Sequence, residues 1–210
     1  MKRLLTSTLI WLAAASAALA QVNVVPQTGV VSGYSPKQTY SAVWIGLVPA
    51  ASTTDLICIS GSATKTISVH QIKLSGSAGT TLSLPVTVLR RTSLNTGGTA
   101  ASTTANPANT IGKRISTNAN ATATLISWTA NPTIVDTSPT YLDSAQIAIS
   151  LTTMATVSIP VTFDWSNDAS NVRQMPVIRN GQTTQAICVN LNGVSITSGL
   201  VTGSITWTEE

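Results

Sequence analysis

Charged side chains are scarce in this sequence of 210 residues. Asp, Glu, Lys and Arg together make up 9% of the chain, whereas about a quarter is usual in soluble domains. A folded monomer would carry little electrostatic protection against association. This scarcity favours a protein whose surface is buried against copies of itself or within a larger assembly. The few cations are scattered, and no basic face with neighbouring aromatics is visible, so nucleic acid is not an expected partner.

Groups that carry acid–base or nucleophilic chemistry are equally few. His70 is the only histidine, and it stands in the middle of a strand pattern with no neighbouring feature of a catalytic site. Glu209 and Glu210 lie at the very C-terminus, where solvation is expected, which leaves only scattered Asp residues for paired-carboxylate chemistry. We therefore predict that the protein is not an enzyme, with no catalytic, cofactor-binding or metal-binding residues and no cofactor.

One short segment contains three oxygen-bearing side chains close together, Phe163 to Asp168 (FDWSND). A surface calcium site is conceivable there, but the segment lacks the dense ligand spacing and bidentate Glu of a strong calcium loop. A turn in which an Asp side chain bonds the backbone two residues on is the preferred interpretation.

Long apolar runs are confined to the N-terminus. A charged start, Met1 to Arg3, precedes an uncharged stretch from Leu4 to Ala20 that ends in small residues. This pattern predicts a secretory signal peptide, residues 1–20, cleaved after Ala20. A retained anchor is the alternative, but it needs roughly 20 uninterrupted apolar residues. Cleavage removes two cations, lowers the formal charge from +4 to +2, and predicts an exported protein with no later membrane association.

Short β-branched runs separated by turn residues dominate the rest of the chain. Predicted strands cover residues 42–48, 55–60, 65–74, 82–91, 121–129, 145–151, 155–163, 175–179, 185–191 and 200–207. Asn180-Gly181 predicts a two-residue hairpin between two of them. About eight to ten short strands predict an all-β protein, a single antiparallel β-sandwich of jelly-roll type over residues 40–210. An immunoglobulin-like sandwich is the alternative, although its Cys…Trp…Cys spacing is not matched.

Two segments are predicted to lie outside the compact core. Residues 21–39 are interrupted by Pro26 and Pro36, and we expect an extended N-terminal arm. The tract from Ser93 to Asn118 is rich in Thr, Ala, Asn and Gly and has almost no large apolar residue. We expect it to be an exposed loop, where recognition is commonly found.

Cys58 and Cys188 each lie in the middle of a predicted strand. In an exported chain, a disulfide between an early and a late strand is plausible. Two buried thiols that pack as small apolar residues are the alternative. The sequence leaves both interpretations open.

Four tryptophans follow the signal segment, and in binding modules such side chains form carbohydrate-stacking platforms. Trp44, Trp128 and Trp207 each lie within or at the end of an apolar strand, where core or interface packing explains them. Trp165 is the exception, because it follows an Asp and precedes polar residues. We predict that Trp165 is the aromatic that faces a ligand, if the domain binds one.

Six short segments spread over residues 40–210 form a recognisable set. They are residues 40–49 (YSAVWIGLVP), 54–61 (TDLICISG), 89–93 (LRRTS), 130–136 (ANPTIVD), 186–197 (AICVNLNGVSIT) and 203–210 (GSITWTEE). Together they resemble uncharacterised virion-type structural proteins of tailed phages and prophages. The resemblance implies a trimer-forming jelly roll at a virion surface, such as a capsid decoration, head-fibre or tail-associated component, and it implies no functional residues. The added signal peptide implies a role in the periplasm, at the cell surface or outside the cell.

Three functions are compatible with these features. The first is a structural or assembly protein that forms a homo-oligomer, with virion or cell-surface components as further partners. The second is a secreted carbohydrate-binding module that uses Trp165. The third is a pilus-like or coat-like subunit that uses the N-terminal arm, although this arm contains only a fragment of the alternating apolar pattern that strand donation requires.

Overall fold

The computed structural model describes residues 37–151, 159–166, 174–194, 196 and 198–210. Within them the chain forms twelve β-strands and two short 3-10 turns. The strands are β1 Gln38–Leu47, β2 Thr53–Ser60, β3 Ile67–Ala78, β4 Leu82–Arg91, β5 Thr99–Ala100, β6 Gly112–Lys113, β7 Thr124–Ala130, β8 Thr140–Leu151, β9 Val161–Asp164, β10 Val177–Ile178, β11 Ala186–Val194 and β12 Leu200–Glu209. No helix among these residues is long and apolar enough to cross a membrane.

The strands form two sheets. In the front sheet, β9 and β10 pair with one side of β3, and the order continues β3-β12-β1-β6. In the back sheet, the order is β7-β2-β11-β4-β8, with β5 added outside β7. All pairs are antiparallel except one short contact, in which the end of β3 runs parallel to the end of β8. The prediction of an all-β, antiparallel, two-sheet protein is confirmed.

The predicted N-terminal segments fall mostly outside the described residues. This applies to the signal peptide, residues 1–20, and to residues 21–36 of the predicted arm. The last two residues assigned to that arm, Gln38 and Thr39, belong to β1 and pair with Glu209 and Thr208 of β12.

The core lies between the two sheets and is built from the inward side chains of each strand. Tyr40, Trp44 and Trp207 are fully buried in it, and the rings of Tyr40 and Trp207 stack with centroids 5.6 Å apart. Gly203 lies opposite Trp44 in the strand register. A Cβ atom at Gly203 would lie 2.2 Å from the Trp44 indole. The glycine therefore makes room for the indole in the core.

The tract from Ser93 to Asn118 is largely exposed, as expected, but it is not a free loop. Its short strands β5 and β6 pair with β7 and β1, at the corresponding edges of the back and front sheets. Thr110 Oγ1 accepts a hydrogen bond from Val43 N at 2.9 Å and donates one to Val43 O. Polar groups of the tract thus pair with the edge strand β1, whose open backbone would otherwise invite association with another strand.

The hairpin predicted at Asn180-Gly181 is wrong. The strand before it, β10, pairs with β3 in the front sheet, whereas β11 pairs with β2 and β4 in the back sheet. Gly181 does adopt a positive φ of 80°, and its N–H donates to Ser62 O at 3.0 Å. The turn therefore carries the chain from one sheet to the other, a long-range arrangement that a local dipeptide signal does not reveal.

Candidate functional site

The two cysteines meet on the outer face of the back sheet. Cys58 of β2 lies directly opposite Cys188 of β11, with Cα atoms 4.1 Å apart, and their sulfurs form a disulfide. Both side chains pack with Leu89, Trp128 and Ala186 in a small apolar cluster separate from the main core. The bridge joins residues 130 positions apart in sequence, so it fixes the middle of the back sheet.

A buried ion pair lies beside the disulfide. Arg91 donates through Nε and Nη2 to the two carboxylate oxygens of Asp55, at 2.5 and 2.9 Å, and neither side chain is more than 4% exposed. Asn95 and Asn190 each donate to the same carboxylate at 2.6 Å. Two-point pairing and the extra donors offset much of the cost of removing these charges from water.

The same carboxylate belongs to a group that resembles a metal site by proximity alone. Ligand atoms of Asp55, Cys58 and Cys188 all lie within 4.8 Å of one another. Metals bind thiolate sulfur, and the two sulfurs are bonded to each other here. The carboxylate is also engaged by Arg91, so the oxidised protein offers no free ligand set at this position.

The loop after β4 is held by a second carboxylate. Asp136 accepts hydrogen bonds from Thr92 N at 2.7 Å, Thr92 Oγ1 at 3.0 Å and Ser138 N at 3.0 Å. The backbone bond from Thr92 is the main reason that the pKa of Asp136 is lowered below its usual value. Arg91 Nη1 also donates to Asp136 O at 2.6 Å, which connects this loop to the buried ion pair.

Trp165, the aromatic predicted to face a ligand, is largely buried and lines a small cleft with Leu142, Asp143 and Gln174. Its side chain is only 5% exposed and stacks on Phe163 with ring centroids 6.1 Å apart. These two residues are two positions apart at β9 and just beyond it, where side chains alternate between faces, so both point inward. Polar sequence neighbours suggested exposure, but those neighbours occupy the other face. The carbohydrate-binding module therefore stays a prediction, and the burial of Trp165 gives it little support.

The preferred interpretation of the segment around Trp165 as an Asp-based turn is confirmed. Asp164 Oδ1 accepts hydrogen bonds from Ser166 N at 2.9 Å and Ser166 Oγ at 2.5 Å. Gln71 Nε2 donates to the other carboxylate oxygen at 2.6 Å. The hydrogen bond from the Ser166 hydroxyl is the largest cause of the lowered pKa of Asp164. Asn167 and Asp168 lie outside the described residues.

His70 lies at a bulge in β3, in a shallow cleft of about 330 Å³ on the front sheet. The cleft is lined by Thr39, His70, Gln71, Arg114, Ser166, Thr206 and Thr208. His70 Nε2 lies 3.0 Å from Thr208 Oγ1. Burial lowers the pKa of His70, the charge of Lys37 lowers it further, and Asp164 and Glu210 oppose the shift. The imidazole thus forms a hydrogen bond to the neighbouring strand β12.

The expectation that Glu209 is solvated is wrong, because Glu209 is buried. Its side chain is 1% exposed and accepts hydrogen bonds from Thr122 N, Thr122 Oγ1, Ala123 N and Trp207 Nε1, at distances between 2.7 and 3.1 Å. Glu210 does remain partly exposed and pairs with Lys37 at 2.7 Å. Glu209 thus ties the chain before β7 to the end of β12.

The outer face of the front sheet contains an exposed apolar strip formed by Val43, Ile45, Val48 and Leu200, which are 36%, 54%, 55% and 42% exposed. Val43 and Ile45 alternate with the buried Trp44 along β1. The pairing of Leu47 with Val201 then brings Val48 opposite Leu200. Four neighbouring apolar side chains therefore point to solvent from one end of this face.

Two of these features have signals in the sequence. The run from Ala42 to Val48 is apolar at nearly every position, so it marks a strand with apolar residues on both faces rather than on one. Asp55 lies next to Leu56 at the start of an apolar strand, and it is the only charged residue between Gln38 and Thr64. An isolated charge at such a position indicates a buried pair, because an unpaired charge is rarely buried. Which cation pairs with it is not visible in the sequence, since Arg90 and Arg91 are adjacent.

Comparison with known proteins adds no relative. No protein-family model matches the chain, and no curated protein or solved structure matches it. The fold and its surface define an all-β protein of two antiparallel sheets, with a disulfide and buried ion pair in the back sheet and an exposed apolar strip on the front sheet.

Proposed function

We propose that this chain is a non-enzymatic structural subunit that assembles with copies of itself through the outer face of the front sheet. The apolar strip is the observation that carries the proposal. Contiguous exposed apolar side chains rimmed by polar residues are typical of protein interaction sites. On this face the strip is bordered by hydroxyl side chains, including Ser204 opposite Val43 and Thr202 farther along β12.

The surrounding face suits an interface because it contains little charge. Interface centres are depleted in charged residues, and polar side chains occupy the rim. Of the strand residues on the solvent side of β1, β12 and β3, most are Thr, Ser or apolar, and the exceptions are Lys73, His70 and Gln71. Asp164 of β9 lies near Lys73, and Arg114 lines the cleft beside His70. A second copy placed over the apolar strip itself would have few charges to desolvate.

A jelly roll is the fold class that we propose for the sandwich. In that fold a long antiparallel ribbon is wound into two sheets, so early strands pair with late strands in reverse order. The pairings β1 with β12, β2 with β11, β3 with β9 and β4 with β8 follow this nested order. When such a ribbon is wound into two sheets, strands from its successive turns become neighbours. The pairings of β12 with β3 and of β11 with β4 are of this kind.

A trimeric, virion-type surface component is the specific role that we propose. The nested strand pairing and the apolar strip support it, together with the resemblance of residues 40–210 to structural proteins of tailed phages and prophages. The predicted signal peptide favours an exported variant of such a subunit, displayed at the cell surface or released into the periplasm or the medium.

Light scattering coupled to size-exclusion chromatography tests the assembly. We expect residues 21–210 to elute with the mass of a trimer, and Val48→Asp to elute as a monomer because it places a charge in the strip. Val135→Asp is the matched control, since Val135 is 50% exposed but lies outside the strip. A wild-type monomer at micromolar concentration, or equal effects of the two substitutions, would overturn the proposal.

A further inference from the structure

A cavity of about 410 Å³ opens on the outer face of the back sheet, beside the disulfide. It lies between the loop that follows β4 and strands β2, β7 and β11, and its volume falls in the range of small-molecule sites. Its lining residues are Cys58, Ser60, Leu94, Asn95, Gly97, Thr124, Leu125, Ile126, Trp128 and Ala186. None of the features used for the proposed assembly lies in it.

The wall of the cavity formed by the loop is fixed in place. Asn95 donates to the buried carboxylate of Asp55, and Thr96 exchanges two backbone hydrogen bonds with Thr133, at 2.7 and 3.1 Å. Gly98 has a φ of +74°, and a Cβ there would lie within 3 Å of backbone atoms of Ala130 and Pro132. The cavity is therefore preformed, so a ligand would not have to order the loop on binding.

The chemistry of the lining selects the ligand. No charged side chain lines the cavity, and Trp128, Ile126 and the disulfide form an apolar floor and side. Leu94 is 40% exposed, as expected for a rim residue that a ligand would cover. These groups favour a neutral ring compound, because a charged ligand would lose its hydration without gaining a partner.

Polar groups are few in the lining of the cavity. The Ser60 and Thr124 hydroxyls bond to each other, and the Ser60 hydroxyl also donates to Thr124 O at 3.2 Å. These bonds use both hydroxyl protons, so the pair retains lone pairs that accept a hydrogen bond from a ligand hydroxyl. Asn95 Oδ1 is a buried acceptor for which the described residues supply no donor. This small polar set suits one hydroxyl on an otherwise apolar ring, whereas a sugar has hydroxyls on every side.

We propose that this cavity is a binding site for small neutral aromatic alcohols of the phenol or naphthol class. The ring packs against Trp128, Ile126 and Leu94, and the hydroxyl bonds to the Ser60–Thr124 pair. The site is independent of the proposed assembly, since it lies on the other sheet.

Calorimetric titration with 2-naphthol, alongside glucose as a polar ring, tests the site. We expect saturable binding of 2-naphthol and none of glucose. Leu94→Arg should weaken 2-naphthol binding by roughly tenfold or more, the equivalent of losing one good apolar contact. Chemical-shift changes at the Trp128 indole N–H should accompany binding to the wild type.

Leu200→Arg is the matched control, because Leu200 is 42% exposed but belongs to the apolar strip of the front sheet. Leu200→Arg should reduce the oligomer mass and leave the affinity for 2-naphthol unchanged. Leu94→Arg should weaken 2-naphthol binding and leave the oligomer mass unchanged. Absence of saturable 2-naphthol binding to the wild type, equal binding of glucose, or unchanged affinity in folded Leu94→Arg would each overturn the proposed site, whatever the oligomer mass.

Discussion

Asp55 and Glu209 are both buried carboxylates, and the chain stabilises them by different means. Asp55 is paired with the guanidinium of Arg91. Glu209 accepts hydrogen bonds from the backbone and hydroxyl of Thr122, from the backbone of Ala123 and from an indole. Each carboxylate fixes the segment that donates to it, because leaving a buried charge uncompensated is strongly unfavourable. These side chains therefore position the loops that cover the sandwich.

Arg91→Leu should destabilise the fold strongly. The substitution removes the cation and leaves the Asp55 carboxylate buried, so we expect a loss of about 3–5 kcal/mol in the free energy of unfolding. Urea denaturation at fixed protein concentration measures the loss. Lys37→Met is the control, because it breaks the exposed pair with Glu210, for which a loss of less than about 1 kcal/mol is expected. Similar losses for the two variants would contradict a buried ion pair.

His70 should make the stability of the protein depend on pH near neutrality. Its pKa in the folded state is lowered from the usual 6.5, chiefly by burial, so the unfolded chain binds the proton more readily. Stability from this group is therefore full above pH 6.5 and declines as the pH falls toward the folded pKa. The lowered pKa values of Asp136 and Asp164 act only at more acidic pH.

Thermal melts of the wild type and His70→Gln between pH 5 and 7.5 separate these contributions. We expect the melting temperature of the wild type to fall more steeply below pH 6.5 than that of the variant. Parallel curves for the two proteins would show that the imidazole titrates normally.

Among the elements, strands with clean alternation were predicted best. The predicted bounds of residues 82–91 match β4, because Leu84, Val86 and Val88 alternate with outward residues. The first half of β8, from Thr140 to Ser144, was missed because its side chains do not alternate in polarity and its pairing with β4 defines it. The small strands β5 and β6 were missed for the same reason, since edge pairing depends on residues distant in sequence. Where the local sequence pattern does not indicate a strand, pairing with residues distant in sequence determines whether one forms.

The disulfide links β2 to β11, and its loss should weaken the back sheet. The sequence left a bridge and two buried thiols as alternatives. We expect the intact mass to rise by two hydrogen atoms on reduction, and the double variant Cys58→Ala, Cys188→Ala to lose about 2–4 kcal/mol of stability. Reductant should destabilise the wild type and leave the double variant unaffected. An unchanged mass on reduction would favour the two thiols.

The two sheets differ in where their charged side chains lie. The back sheet contains a buried ion pair under its covering loops, whereas the outer face of the front sheet presents mainly hydroxyl and apolar side chains, with the charges of Lys73, Asp164 and Arg114 among them. The first arrangement stabilises one fold, because each charged group has one set of partners. The second leaves a face that is hydrated weakly and can be covered by another copy at little cost. The low overall charge is visible in the sequence alone. It indicates a particular interface only when the structure shows which apolar residues are exposed.

Assembly through the apolar strip should resist salt. Interactions between exposed charges are screened within about 8–10 Å at physiological ionic strength, whereas burial of apolar surface is not weakened by salt and is strengthened by sulfate. The oligomer mass measured by light scattering should therefore stay constant from low salt to about 1 M NaCl. At protein concentrations low enough for the oligomer to dissociate in part, ammonium sulfate should raise the average mass toward that of the full oligomer. Dissociation in NaCl would instead assign the interface to charged residues such as Lys73 and Arg114, because screening acts on them and leaves the contacts of Val48 and Ile45 intact.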